Sequence, residues 1–240
     1  MIDVRTLNGL VKPAIALATD YSRRRDRLQT NVKSLGQLVS EADQEIETLV
    51  RRTIRAEFGE VAILGEEQGG GLDGQASGWV IDPIDGTSNF LRGLPMWGIS
   101  IGYLEGGASH AGVIALPELG IVLAAAAGQG MELNGARFAA SAARAPGKMI
   151  ALGENDFEAG DETDRRAEAF RREGSSVVRY QCAVFSLASA ALGRLDGYVE
   201  RGCCIWDIAA AWVICVEAGM TVSTSALDGG RYAIDARWSR

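Results

Sequence analysis

The stretch WVIDPIDGTSNF (Trp79–Phe90) runs an apolar segment, Trp79-Val80-Ile81, straight into two aspartates that bracket Pro83 and Ile84. Asp82 and Asp85 are followed at once by Gly86 and Thr87. A buried strand that emerges into Asp-Pro is either turning, because Asp, Pro and Gly all favour turns, or presenting charge to a ligand. Spacing excludes two similar acidic motifs. An EF-hand loop with Gly86 at its sixth position needs acids at 81 and 83, which are Ile and Pro. A nucleophilic Asp-x-Asp pair followed by Gly-Thr needs Asp where Pro83 stands. Gly86–Asn89 predicts the opening of a short helix, whose N-terminus favours an anion. A carboxylate and a phosphate ~4 Å apart repel by about 4 kcal/mol at an effective dielectric near 20. Cations between them remove that conflict, which is the composition of a metal-dependent phosphoryl-transfer site.

On either side of this stretch, VAIL (61–64) and GWVID (78–82) read as short buried strands. Residues 40–59 read as a helix, with Ile46, Leu49, Val50, Ile54 and Phe58 at helical spacing, Ser40 as N-cap and Gly59 beyond the last turn. Residues 3–27 read as a helix with a basic, solvated end. Between Trp97 and Ala127 lie three strand-like runs. Residues 128–138 then predict a hairpin around Asn134-Gly135. Residues 140–175 are polar and read as the least constrained part of the chain. Beyond them come a helix closed by Gly193, a strand to residue 200, a helix over 206–219 closed by Gly219, and a strand at MTVST. Helices and strands alternate in this second half, so the fold class is α/β (α+β), a layered single domain.

Bulk properties narrow the function. At 240 residues the chain can bury a full core as one domain or as two intimate halves. A net charge of −7 argues against nucleic acid and anionic membranes as partners. No apolar run approaches membrane-spanning length and MIDVRTLNGL lacks a secretory pattern, so the expected location is cytoplasmic. The cysteines, Cys182, Cys203, Cys204 and Cys215, form no CxxC pair and read as reduced thiols. His110 is the only histidine. The expected chemistry runs on carboxylates, which prefer hard ions such as Mg²⁺.

Further acids stand at similar places. Glu66 and Glu67 follow the VAIL strand, Asp207 opens the helix after Trp206, and Asp43 lies three residues past Ser40. Each has a structural explanation taken singly: a solvated loop for Glu67, the helix dipole for Asp207, a capping box for Asp43. Together, GEE (65–67), DPIDGTSNF (82–90) and WDIAAA (206–211) resemble the signatures of the inositol monophosphatase family, within the lithium-sensitive magnesium phosphatases that include fructose bisphosphatases. LVSEAD, GISIG, the Asn-Gly hairpin and GRLDGYVE fall in the same order.

The resemblance implies a layered αβαβα sandwich of the inositol monophosphatase or sugar phosphatase type. It implies one catalytic domain over 1–240, with halves 1–146 and 147–240 as a finer division. Two to three Mg²⁺ ions are implied. Glu66, Asp82 and the Ile84 carbonyl would hold a central ion, Asp82, Asp85 and Asp207 a second, and Asp43 a weaker third. Gly86 and Thr87 would offer backbone N–H groups to phosphate, and Thr87 with Glu66 would orient the water that attacks phosphorus in line. Glu66, Thr87 and Asp82 are thus the catalytic candidates. Asp85, Gly86, Thr87, Ala183, Glu200 and Asp207 are the substrate-binding candidates, with Glu200 accepting hydrogen bonds from substrate hydroxyls. Lys33 matches a lysine near the metals, and Asp196 reads as a turn residue. A homodimer is implied.

Two departures bear on specificity and architecture. Gln181-Cys182-Ala183 stands where the family usually has Gly-Ser/Thr-Ala beside the leaving group. Family chains also continue past DARWSR with a last strand and helix. The implied substrate is inositol 1-phosphate or a related polyol phosphate. Histidinol phosphate, fructose 1,6-bisphosphate and 3′-phosphoadenosine 5′-phosphate are alternatives for the same chemistry. A non-catalytic regulator is a third reading, weakened because none of Glu66, Asp82, Asp85, Thr87 or Asp207 is lost.

Overall fold

The computed structural model describes residues 2–28, 30–34, 37–140 and 147–239, apart from the side chains at 31–38 and 160. The first half comprises α1 (Val4–Arg23), β1 (Thr30–Ser34), β2 (Gln37–Ser40), α2 (Glu41–Phe58), β3 (Ile63–Gly65), β4 (Gly69–Gly70), β5 (Gly78–Asp85), α3 (Thr87–Arg92), β6 (Gly98–Glu105), β7 (Ala108–Leu116), β8 (Ile121–Ala126), β9 (Gly130–Leu133) and β10 (Ala136–Phe138). The second comprises β11 (Lys148–Leu152), α4 (Gly160–Arg172), β12 (Ser175–Val178), α5 (Ala183–Ala191), β13 (Gly197–Cys203), α6 (Ile205–Glu217), β14 (Thr221–Ala226) and β15 (Tyr232–Arg237).

Strand alternation builds the layers. In the sheet ordered β10-β9-β8-β7-β6-β5-β3-β4, Trp79, Ile81, Ile99 and Ile101 point to the core under α1 and α2. Val80, Ile114, Leu116 and Leu123 point the other way, into a core shared with α5 and α6. Those two helices are sandwiched against the second sheet, ordered β12-β11-β13-β15-β14. There Ala151 joins the shared core, while Ile150 and Leu152 pack beneath Ala167 and Phe170 of α4. The result is the five-layer αβαβα arrangement expected. Close approach of α6 depends on two glycines: a Cβ on Gly102 or Gly112 would stand 2.7 or 2.6 Å from the backbone of Ala210.

Several elements match the sequence reading. Ser40 caps α2, donating through its amide and hydroxyl to the Asp43 carboxylate at 2.8 and 2.6 Å. Asn134 and Gly135, both at positive φ, turn β9 into β10. Others differ. The polar stretch 140–175 contains β11, α4 and the start of β12. Beyond the MTVST strand the structure adds a strand that the sequence reading did not assign, Tyr232–Arg237, hydrogen-bonded between β13 and β14. Most consequential, β5 does not stop at Asp82.

β5 runs on through Pro83 to Asp85 across a bulge. Asp82 pairs with Ser100 and Asp85 with Gly98, so three steps on β5 oppose two on β6. Residues three apart in a regular strand point to opposite faces. The extra residue restores parity, so Asp82 and Asp85 share the face that looks toward α5 and α6. A bulge also tolerates Pro83, which has no N–H to give the ladder.

Candidate active site

Five elements end at one place: β5 with Asp82 and Asp85, β3 with Glu66 just beyond it, α2 with Asp43, α6 with Asp207, and α5 with Ala183. Asp82 is 1% exposed, and its Oδ1 has no hydrogen-bond partner among the described residues. Burial, followed by the charges of Glu66, Asp85, Asp207 and Asp43, pushes its carboxyl well above the ordinary range. Asp85 Oδ2 accepts from Val184 N at 2.5 Å and Cys182 Sγ at 3.2 Å. Burial pushes its pKa up to about 6 against the pull of those bonds. Asp207 Oδ2 accepts from Cys204 N at 2.7 Å, and burial with the charges of Asp85, Glu200 and Glu66 pushes it well up. Asp43, fully buried, is raised by burial although Ser40 and Thr87 donate to it.

Gly86 makes the corner between β5 and α3. Its φ of 83° is left-handed, and a Cβ there would meet Met96 O at 3.0 Å and Cys182 Cβ at 3.1 Å. The Thr87 hydroxyl lies 3.0 Å from Ile84 O and 3.2 Å from Asp43 Oδ1. Its single proton therefore serves the Ile84 carbonyl or Asp43. Asn89 locks this corner to the loop before α5, donating to Met96 O and Tyr180 O, both at 2.7 Å.

The rest of the cavity lies between β13, the residues after β11 and the loop before α5. Glu200 is 6% exposed and raised by burial. Its Oε1 accepts from Asn155 Nδ2 at 2.8 Å and its Oε2 from the Tyr198 hydroxyl. Glu200 lines the cavity, but it is already a hydrogen-bonded acceptor, which the sequence did not indicate. Gln181 holds a positive φ of 54° and donates to Glu154 Oε2 at 3.3 Å. Ala183, Cys182, Cys203 and Cys204 also line the cavity. Cys182 caps α5 through Sγ, accepting from Phe185 N at 3.3 Å. Asp196 braces β11 by accepting from Met149 N at 2.8 Å. His110 pairs with Glu105 at 3.3 Å and is not among the residues that line the cavity. The Lys33 side chain lies outside the described residues.

The donor chemistry fits a hard cation. Among the described residues, no three Asp, Glu, Cys or His groups form a ready-made ion cage. Yet Asp85 and Asp207 are each anchored to backbone through Oδ2, and Asp82 keeps a buried orphan oxygen in a field of like charge. Such an oxygen is stabilised by a positive partner. All the groups are oxygen donors, as Mg²⁺ requires.

Residues 4–237 match the sequence model of the inositol monophosphatase family. An inositol-1-monophosphatase from Mesorhizobium japonicum is 33% identical over 237 residues, covering 95% of this chain and 88% of its own. A histidinol-phosphatase from Chlorobaculum parvum is 32% identical, covering 90% and 83%. The Nus factor SuhB of Pasteurella multocida is 34% identical, covering 87% and 79%. Among solved structures, the extragenic suppressor protein suhB from Bartonella henselae superposes with a TM-score of 0.85 at 27% identity, over 97% of this chain and 93% of that one.

Proposed function

Because the chain belongs to the inositol monophosphatase family, whose members are generally metal-dependent phosphatases, we propose that it is a Mg²⁺-dependent phosphomonoesterase. Its substrate in this reading is inositol 1-phosphate or a related polyol phosphate. The observation that carries the proposal is the buried Asp82 Oδ1, without a hydrogen-bond partner among the described residues and amid four other acids. Glu66, Asp82, the Ile84 carbonyl, Asp85, Asp207 and Asp43 are the groups that would hold two to three Mg²⁺ ions. When bound, such ions neutralise the phosphate and the departing alkoxide and acidify water.

The remaining work falls to the protein. Gly86 and Thr87 present backbone N–H groups to phosphate oxygens, the left-handed corner at Gly86 setting their direction. Glu66 and Thr87 orient the attacking water, with the Thr87 hydroxyl held near Ile84 O and Asp43. Ala183 lies at the start of α5 beside the leaving group. Glu200, fixed by Asn155 and Tyr198, uses its remaining lone pairs for substrate hydroxyls. The catalytic unit is the whole chain, 1–240, acting in the cytoplasm as a homodimer on a small phosphate ester.

Gln181 favours a second reading of the substrate. It places an amide where the family's inositol phosphatases carry glycine, so histidinol phosphate, fructose 1,6-bisphosphate and 3′-phosphoadenosine 5′-phosphate are the alternative esters. Relatives named Nus factor SuhB motivate the reading as a non-catalytic regulator, against which stands the complete acid set. The test is phosphate release in Mg²⁺ across these four esters. Preference for inositol 1-phosphate supports the proposal, preference for another ester replaces the substrate, and no release from any ester overturns the enzymatic reading.

A further inference from the structure

The loop that carries Glu66 is gripped from behind by a buried ion pair on α2. Asp43, Glu47 and Arg51 stand about one turn apart on the same face of that helix. Glu47 is 0% exposed. Its Oε2 accepts from Glu67 N at 2.7 Å, and its Oε1 accepts from Gln68 N at 3.2 Å and from Arg51 Nε at 2.7 Å. Arg51 reaches on to Gly69 O at 2.5 Å and Ile63 O at 3.5 Å. Gln68 Nε2 closes the grip on Thr48 Oγ1 at 2.7 Å and Gln44 O at 3.2 Å. The fit is tight, since a Cβ on Gly65 would stand 2.2 Å from Glu47 Oε1.

A carboxylate that accepts two successive backbone N–H groups fixes that peptide's position and orientation. The peptide concerned directly follows Glu66, whose own amide donates to Ile81 O at 3.1 Å. Both sides of Glu66 are therefore tied, one to β5 and the other to Glu47. We infer that Glu47, charge-balanced by Arg51, is a positioning residue for Glu66 and sets where its carboxylate stands relative to Asp82. The inference rests on the proposed cation-binding role of Glu66 and adds to it a residue that touches neither cation nor substrate.

Glu47→Gln is the discriminating variant. Whichever way the amide is oriented, it turns an N–H toward Glu67 N–H, or toward Gln68 N–H and Arg51. The probe is Mn²⁺ binding to the full chain by calorimetry, with thermal unfolding in chelator alongside. Mn²⁺ affinity should fall roughly 10–100-fold, the usual effect of losing a group that orients a metal ligand. In a Glu66→Gln background, Glu47→Gln should weaken Mn²⁺ no further. In an Asp207→Asn background it should keep its full effect. A residue with only a structural role would lower the unfolding temperature and shift affinity equally in both backgrounds, and that result overturns the inference. So does wild-type Mn²⁺ affinity in a folded Glu47→Gln protein. If Glu47→Gln does not fold, Arg51→Lys, which keeps the charge but cannot reach Glu47, Gly69 and Ile63 together, is carried through the same cycle. Loss of Mn²⁺ affinity that vanishes in the Glu66→Gln background then supports the inference, and equal loss in both backgrounds overturns it. Wild-type protein that binds no Mn²⁺ instead overturns the metal-dependent reading itself.

Discussion

Asp82→Asn separates a metal-bridging acid from a strand residue, because the two roles predict opposite changes in stability. The Asp82 carboxylate is 1% exposed, has no partner for Oδ1 among the described residues and is raised by burial and by four neighbouring acids. An uncompensated buried charge costs about 3–5 kcal/mol. The amide keeps the shape and removes the charge, but its own buried polar groups return about 1–3 kcal/mol of that loss. Taking the midpoints of the two ranges, the variant should be more stable in chelator by about 2 kcal/mol, a rise of about 2–4 °C in Tm per kcal/mol for a chain of this size. In Mg²⁺ the order should reverse. Wild type gains about 2.7 kcal/mol at a hundred times its Kd, whereas the variant has lost a negative ligand and gains little. Its kcat should drop by orders of magnitude even at saturating Mg²⁺. The assay is thermal unfolding with chelator and with Mg²⁺, paired with phosphate release across a Mg²⁺ titration. A variant less stable than wild type in chelator, with near-normal kcat, would rule out the metal-bridging role.

Other outcomes follow from the same geometry. Chelation should abolish hydrolysis and added Mg²⁺ restore it, and full activity in excess chelator contradicts the metal dependence; lithium inhibition is expected from the family resemblance alone, and insensitivity counts against it. Asp85 has a folded pKa raised from 3.8 to about 6, so its stabilising contribution is full below 3.8 and is lost as pH rises through about 6. In chelator, Asp85→Asn should therefore match wild type near pH 4 and become more stable above pH 6, by at most roughly 3 kcal/mol; a difference independent of pH removes the argument. Glu200→Gln should fold normally, since its amide can donate to the Tyr198 oxygen while its carbonyl accepts from Asn155. Polyol phosphate hydrolysis should then weaken by about 1.5–3 kcal/mol in kcat/KM, while an aryl phosphate is spared. Equal loss on both esters would assign Glu200 to the fold.

The acids of this site were legible because each sits at an element boundary that local chemistry marks: Ser40 before Asp43, glycine beside Glu66, Gly86 after Asp85, Trp206 before Asp207. What escaped was whatever depends on distant segments meeting. The bulge in β5 reads as a strand end because Pro83 interrupts the pattern, and only pairing with β6 shows the strand continuing. α4 was missed because Ala167 and Phe170 are a thin apolar face on a highly charged helix, sufficient only once β11 offers Ile150 and Leu152. Glu47 and Arg51 look in sequence like a solvated i,i+4 pair, and nothing local says that the turn after Gly65 will seal them. The far wall of the cavity is the extreme case. Glu154, Asn155, Gln181, Tyr198 and Glu200 come from three separate stretches and meet only through tertiary packing. Gln181 holds a left-handed φ that glycine adopts more easily, and its side chain reaches Glu154 from there. On the proposed reading, Gln181 keeps the backbone beside the leaving group while adding an amide to the wall, so reaction and substrate preference would be carried by different residues of one site.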